Sequence, residues 1–115
     1  MKFDSTFGET ARKLRLIRKL SLREVAEALS IDTSMLGKIE KNSRRPTKQL
    51  IEKFAQYFRV SAKDLMVSFL SDSVVYQIMD EEDCANEILK VAEKKVNYLK
   101  NKKLLEYETD NTSIS

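Results

Sequence analysis

The stretch Leu20–Pro46, LSLREVAEALSIDTSMLGKIEKNSRRP, decides how the chain folds. Ser21-Leu22-Arg23-Glu24 is a capping box, so a helix starts at Leu22. Val25, Ala26 and Leu29 share one face of it, and Ala26 is small enough to let a second helix cross close by. The helix ends near Leu29–Ser30, and Ile31 plugs the turn with an apolar side chain. Asp32 suits the N-cap of a following helix from Thr33 to about Lys41. Leu36 and Ile39 point inward from that helix, while Thr33, Ser34, Gly37 and Lys38 fall on the opposite side. Asn42 stands where the helix must stop and tolerates the left-handed backbone used there. Ser43-Arg44-Arg45-Pro46 follows as a basic loop.

Outward from this stretch the same helical rhythm continues. Thr6-Phe7-Gly8-Glu9 is another capping box, and Phe7, Ala11, Leu14 and Ile17 form one apolar stripe on a helix from about Phe7 to Lys19. Its cations, Arg12, Lys13, Arg15, Arg18 and Lys19, occupy other faces, solvated or along a polyanion. Thr47 caps a fourth helix with Leu50, Ile51, Phe54, Ala55 and Phe58 on its apolar face. Val60 plugs the core. Ser61 caps a fifth helix from Ala62 to about Leu70, with Leu65, Met66 and Phe69 inward. Ser71-Asp72-Ser73 then reads as a polar break. A short apolar helix spans Val74 to Met79, and the acidic run Asp80–Asp83 sits where negative charge suits the start of a long helix, roughly Glu82 to Lys102. Ala85, Leu89, Ala92, Val96 and Leu99 repeat at 4-3-4-3 spacing, a two-heptad seam. From Leu104 to Ser115 the sequence is polar and aperiodic and reads as a flexible tail. The expected organisation is all-α: a five-helix domain over 1–70, a helical segment over 71–103 and a tail over 104–115.

Composition narrows the chemistry. The 115 residues contain no His and one Cys, which argues against a zinc or iron–sulfur centre, an internal disulfide or a Cys–His nucleophile. There is no glycine-rich phosphate loop and no convincing carboxylate dyad, so no enzyme and no cofactor are expected. Cys84 reads as a small packed residue. The N-terminus lacks the apolar core of a signal peptide, no apolar run reaches membrane-spanning length, and a cytoplasmic location is expected. The net charge of +3 hides an asymmetry. Residues 1–70 carry 15 Lys and Arg against 8 Asp and Glu, a net of +7, and residues 71–115 carry 6 against 10, a net of −4. A basic domain joined to an acidic segment suits polyanion binding plus a separate task.

These residues carry a resemblance. Ala26, the Leu29-Ser30-Ile31 turn, Leu36, Ile39, Glu40 and Pro46 stand as they do in the Cro/Xre family of bacterial helix-turn-helix regulators, and the match continues through the first and fifth helices. The resemblance implies a lambda-repressor-like five-helix fold whose third helix enters the major groove of double-stranded DNA, with members binding inverted repeats as dimers. Carried over by position, Thr33, Ser34 and Lys38 would face base edges, with Asp32 and Gly37 near the groove. Lys38 suits guanine, and Thr33 and Ser34 suit several bases or are ordinary first-turn polar residues. Arg44 and Arg45, with Ser43, would lie against phosphate. Arg15 and Glu40 would pair between the first and third helices. Two departures stand out. Where many relatives have a phosphate-binding Gln, this chain has Leu22, which leaves that contact to the helix N-terminus, to Arg23, or unmade. The usual turn glycine is Ser30.

The resemblance thus implies a dimeric, sequence-specific transcriptional regulator, and the small size suits a phage-type repressor, a restriction–modification controller or a stand-alone regulator. No small-molecule ligand and no membrane partner are expected. Leu89, Ala92, Val96 and Leu99 would supply the dimer contact, unless the long helix folds back on its own domain. The competing function is a protein-binding module of antitoxin type, whose acidic C-terminal segment holds a partner.

Overall fold

The computed structural model describes residues 5–113, with side chains to residue 106. The fold is all-α: α1 (Phe7–Ile17), α2 (Leu22–Leu29), α3 (Thr33–Glu40), α4 (Lys48–Phe58), α5 (Ala62–Ile78), a 3₁₀ segment (Met79–Cys84) and α6 (Ala85–Ser113). Two compact units divide after Val75, within α5. No helix among the described residues is long and apolar enough to cross a membrane.

The first unit is built by caps and one core. The hydroxyls of Thr6, Ser21, Thr47 and Ser61 accept from the amides of Glu9, Glu24, Leu50 and Asp64 at 3.0–3.3 Å. Each satisfies an amide that its helix cannot, worth about 1 kcal/mol. Phe7, Ala11, Leu14, Val25, Ala26, Leu29, Leu36, Ile39, Leu50, Ile51, Phe54, Ala55, Phe58 and Leu65 pack as a single buried cluster. Phe7 is its aromatic hub, edge-on to Phe69 at 5.7 Å and tilted against Phe54 at 6.3 Å. Ile17 does not join the stripe assigned to it; it is 66% exposed. The helix ends there, the chain reverses through Lys19 (φ 56°), and Leu20 packs on the core instead.

Gly8 sets how closely α1 approaches the end of α3. A Cβ there would lie 2.5 Å from Asn42 Oδ1 and 2.6 Å from the carbonyl oxygens of Ile39 and Glu40. Asn42, in the left-handed conformation at φ 61°, uses this proximity. Its Oδ1 accepts from the Gly8 amide at 3.0 Å, and its Nδ2 donates to Thr6 Oγ1 at 2.9 Å. The residue that ends α3 therefore also ties down the start of α1.

The fifth helix differs from its sequence reading. It does not stop near Leu70 but continues to Ile78 through Ser71-Asp72-Ser73. Each of those polar residues has a partner that makes helix compatible with the site. Ser71 Oγ donates to the Ser68 carbonyl at 2.9 Å, Asp72 Oδ2 accepts from the Phe7 amide at 2.6 Å, and Ser73 Oγ meets Arg45 at 3.1 Å. The compact unit that holds α1 to α4 accordingly runs on to Val75.

In the second unit, the acidic run forms a 3₁₀ segment rather than the start of the long helix. Glu81 has non-helical φ −117° and ψ 49°, and Cys84 Sγ donates back to its carbonyl. The following helix, α6, then continues to Ser113, past Leu104 where the sequence suggests a frayed tail. Ile114 and Ser115 lie outside the described residues.

Candidate nucleic-acid interface

The site is built on α3 and the loop that follows it. Leu36 and Ile39 are 1% and 3% exposed and anchor one side of the helix in the core. That fixes the rotation of the other side, where Thr33, Ser34 and Lys38 are exposed to solvent. Gly37 lies among them and is half-buried. A Cβ on Gly37 would meet only Leu22 Cδ1, at an ordinary 3.9 Å, so nothing inside the protein requires glycine there.

Asp32 occupies the N-cap position with extended backbone, φ −68° and ψ 142°, but its side chain makes no capping hydrogen bond. The cap expected of it is therefore positional only. Its carboxylate is exposed on the same end of α3 as Thr33 and Ser34.

Behind α3 stands the Arg15–Glu40 ion pair. Arg15 Nε donates to Glu40 Oε2 at 2.8 Å and Nη2 to Oε1 at 2.9 Å, a bidentate fork. Nη1 donates to the Leu20 carbonyl at 2.9 Å, so the guanidinium also closes the turn into α2. Both side chains are nearly buried. Donation to the Glu40 carboxylate raises the Arg15 pKa above its ordinary value, against the opposing effect of burial. The cation is permanent, and the pair braces α3 against α1.

The turn before α3 holds Ser30 at φ 57° and ψ 44°, the left-handed cap expected where glycine is usual. Its amide bonds to the Ala26 and Glu27 carbonyls, and the Ile31 amide donates to the Ala26 carbonyl at 3.0 Å. At the start of α2, Leu22 is half-buried against the core beside Gly37. Arg23 is exposed and forms only a loose surface pair with Glu27 at 3.5 Å, which leaves its charge available to an anion.

After α3, Ser43 closes the helix. Its amide and its Oγ both donate to the Lys38 carbonyl, at 2.9 and 3.2 Å. Its hydroxyl is therefore engaged as a donor, with only its acceptor side open. Arg44 is exposed and makes no hydrogen bond or ion pair among the described residues. Arg45 is different: Nη2 donates to Ser73 Oγ at 3.1 Å, and the guanidinium lies over the Phe69 ring at 5.3 Å. Arg18 has a structural task. It donates to the Tyr57 and Phe58 carbonyls at 3.1 and 2.6 Å and stacks on Phe58, which satisfies the C-terminus of α4.

Four residues make contacts that the sequence does not announce: Gly8, Arg18, Asp72 and Ser73. Gly8 carried a signal, being a glycine in the first turn of a well-capped helix, where only a close neighbour explains it. Asp72 and Ser73 carried none, because their partners lie 65 and 28 residues away. The expected dimer residues belong to the second unit: Leu89, Val96 and Leu99 are 40%, 50% and 59% exposed and Ala92 is half-buried.

A helix-turn-helix family model matches residues 12–65, the span that holds most of α1 through the start of α5. The crystal structure of the restriction-modification controller protein C.AhdI from Aeromonas hydrophila is similar at 29% identity. That likeness covers 51% of this chain and 89% of that chain, with a TM-score of 0.49. No curated protein matches the chain.

Proposed function

We propose that the domain over residues 12–65, which matches a helix-turn-helix family model, is a DNA-binding regulator of the Cro/Xre type that reads a pseudo-palindromic operator as a homodimer with α3 in the major groove. One observation carries the reading. The core fixes α3 so that its only small-polar and cationic face, Thr33, Ser34 and Lys38, is presented to solvent beside a basic loop. Lys38 donates to guanine O6 or N7, and Thr33 and Ser34 donate or accept at neighbouring bases or touch a thymine methyl. The Asp32 carboxylate accepts from a cytosine amino group, and Gly37 lets the α3 backbone come close to the base edges. Arg23, Arg44 and Arg45 meet phosphates, and Ser43 accompanies them with a hydroxyl.

Four polar side chains on one short helix cannot specify a site in a genome, so two copies are needed. Apolar surface for that contact is present in both units. On α6, Leu89, Ala92, Val96 and Leu99 form the heptad seam. On α5, Val67, Leu70 and Val74 are 46–58% exposed and lie on the side away from the buried Leu65 and Ser68. Exposed apolar stripes of this kind favour association with a second copy.

Binding titrations over a range of salt concentrations test the roles. Lys38→Ala is expected to reduce discrimination between a selected site and mixed-sequence duplex by roughly 1–3 kcal/mol. Arg44→Ala is expected to weaken binding to both duplexes equally and to lower the salt slope by about 1. Equal affinity of the parent protein for all duplexes would overturn the sequence-specific reading.

A further inference from the structure

We infer that Ser73 and Phe69 are positioning residues for Arg45, so that the far half of α5 belongs to the phosphate-binding apparatus. The inference rests on the DNA-binding reading above and extends it to residues outside the 12–65 domain. Arginines in this unit are held in distinct ways. Arg15 is consumed by a carboxylate, and Arg18 by two main-chain carbonyls and a ring. Arg45 meets one neutral hydroxyl and one aromatic face. A guanidinium has five N–H donors. Ser73 takes one, and the ring takes the flat face, which uses none. The remaining donors and the full positive charge stay available.

That pattern fits pre-orientation rather than masking. A device to silence Arg45 would use an anion, and a carboxylate stands one residue away. Asp72, however, is aimed at the Phe7 amide at 2.6 Å, which locks α5 to the start of α1. Phe69 is fixed in turn by its edge-on contact with Phe7 at 5.7 Å. The platform under Arg45 is thus part of the core, while Arg44, its neighbour, is unrestrained by hydrogen bonds or ion pairs among the described residues. Fixing a rotamer-rich cation before binding removes the ordering cost it would otherwise incur at the phosphate.

The test is a double-mutant cycle between Ser73 and Arg45 on the full chain, read as affinity for a short mixed-sequence duplex across a salt series. Phosphate contacts are independent of sequence, so this probe suffices. Ser73→Ala is expected to weaken binding roughly two- to tenfold. The salt slope should stay unchanged, because the phosphate contact still forms. Arg45→Ala is expected to lower the slope by about 1. In the Arg45→Ala background, Ser73→Ala should have no further effect; with Arg45 intact, Ser73→Thr, which keeps the hydroxyl, should bind with parental affinity. A fully additive cycle, or tighter binding by Ser73→Ala, would overturn the positioning role and leave the DNA-binding reading standing. Absence of any salt-dependent binding by the parent protein would overturn both. A thermal melt of each variant separates these outcomes from misfolding, since a shared loss of stability lowers affinity in both backgrounds.

Discussion

At the scale of single residues, one ion pair and one glycine carry more than their sequence neighbours indicate. Glu40 and Arg15 form a bidentate pair that is almost removed from solvent. Removing one partner leaves the other charge buried and unpaired. Glu40→Ala is therefore expected to cost about 3–5 kcal/mol in a denaturant melt. The pKa of Arg15 is raised in the folded state, so the pair's stabilisation is complete below the unfolded-state value and is lost only as pH rises through the folded one. Both lie above the range of a neutral or moderately alkaline buffer, and the deficit of Glu40→Ala is expected to be constant from pH 7 to about 10. Gly8 is that glycine. The Ala11–Leu14 stripe was legible because helical periodicity is local. The contact of Gly8 with Asn42 and two carbonyls was not, because it depends on where α3 ends relative to α1.

Among the elements, α3 was read almost as it stands, Thr33–Glu40 against an expected Thr33–Lys41, because caps and the Leu36/Ile39 anchor are short-range signals. The side chain expected to cap it, Asp32, does not, which shows that N-cap position and N-cap bond are separate matters. Gly37 gives the element its sharpest prediction. Intramolecular space is available for a Cβ, so Gly37→Ala is expected to stabilise the fold by about 1 kcal/mol through helix propensity. In the same variant DNA binding should weaken, because the added methyl stands on the face proposed to approach the groove. A melt and a titration on one protein sample check both signs. If stability rises and affinity is unchanged, Gly37 does not approach DNA. One element that departs from its local signals is α5. Ser71-Asp72-Ser73 has the composition of a break, but a local reading cannot see that each side chain finds a partner, two of them on α1 and in the loop after α3.

For the whole molecule, the all-α class and the basic first unit were legible from composition and periodicity. The extent of α5 and of α6 was not. Association is the property that remains to be measured at this scale. Sedimentation or light scattering on the full chain is expected to give twice the 13.3 kDa chain mass. Val96→Asp with Leu99→Asp is expected to return that mass to the monomer if the α6 seam holds the dimer. The same result from Leu70→Asp with Val74→Asp, and not from the first pair, would assign the contact to α5.

The most direct measurement is selection of bound sites from a random duplex library by the full-length parent protein, followed by sequencing. The predicted result is enrichment of two half-sites related by two-fold symmetry, their centres about 10 base pairs apart or a multiple of that, with Lys38→Ala relaxing the preference inside each half-site. Recovery of unenriched sequence, or of a preference that Lys38→Ala leaves untouched, would contradict the claim that α3 reads DNA.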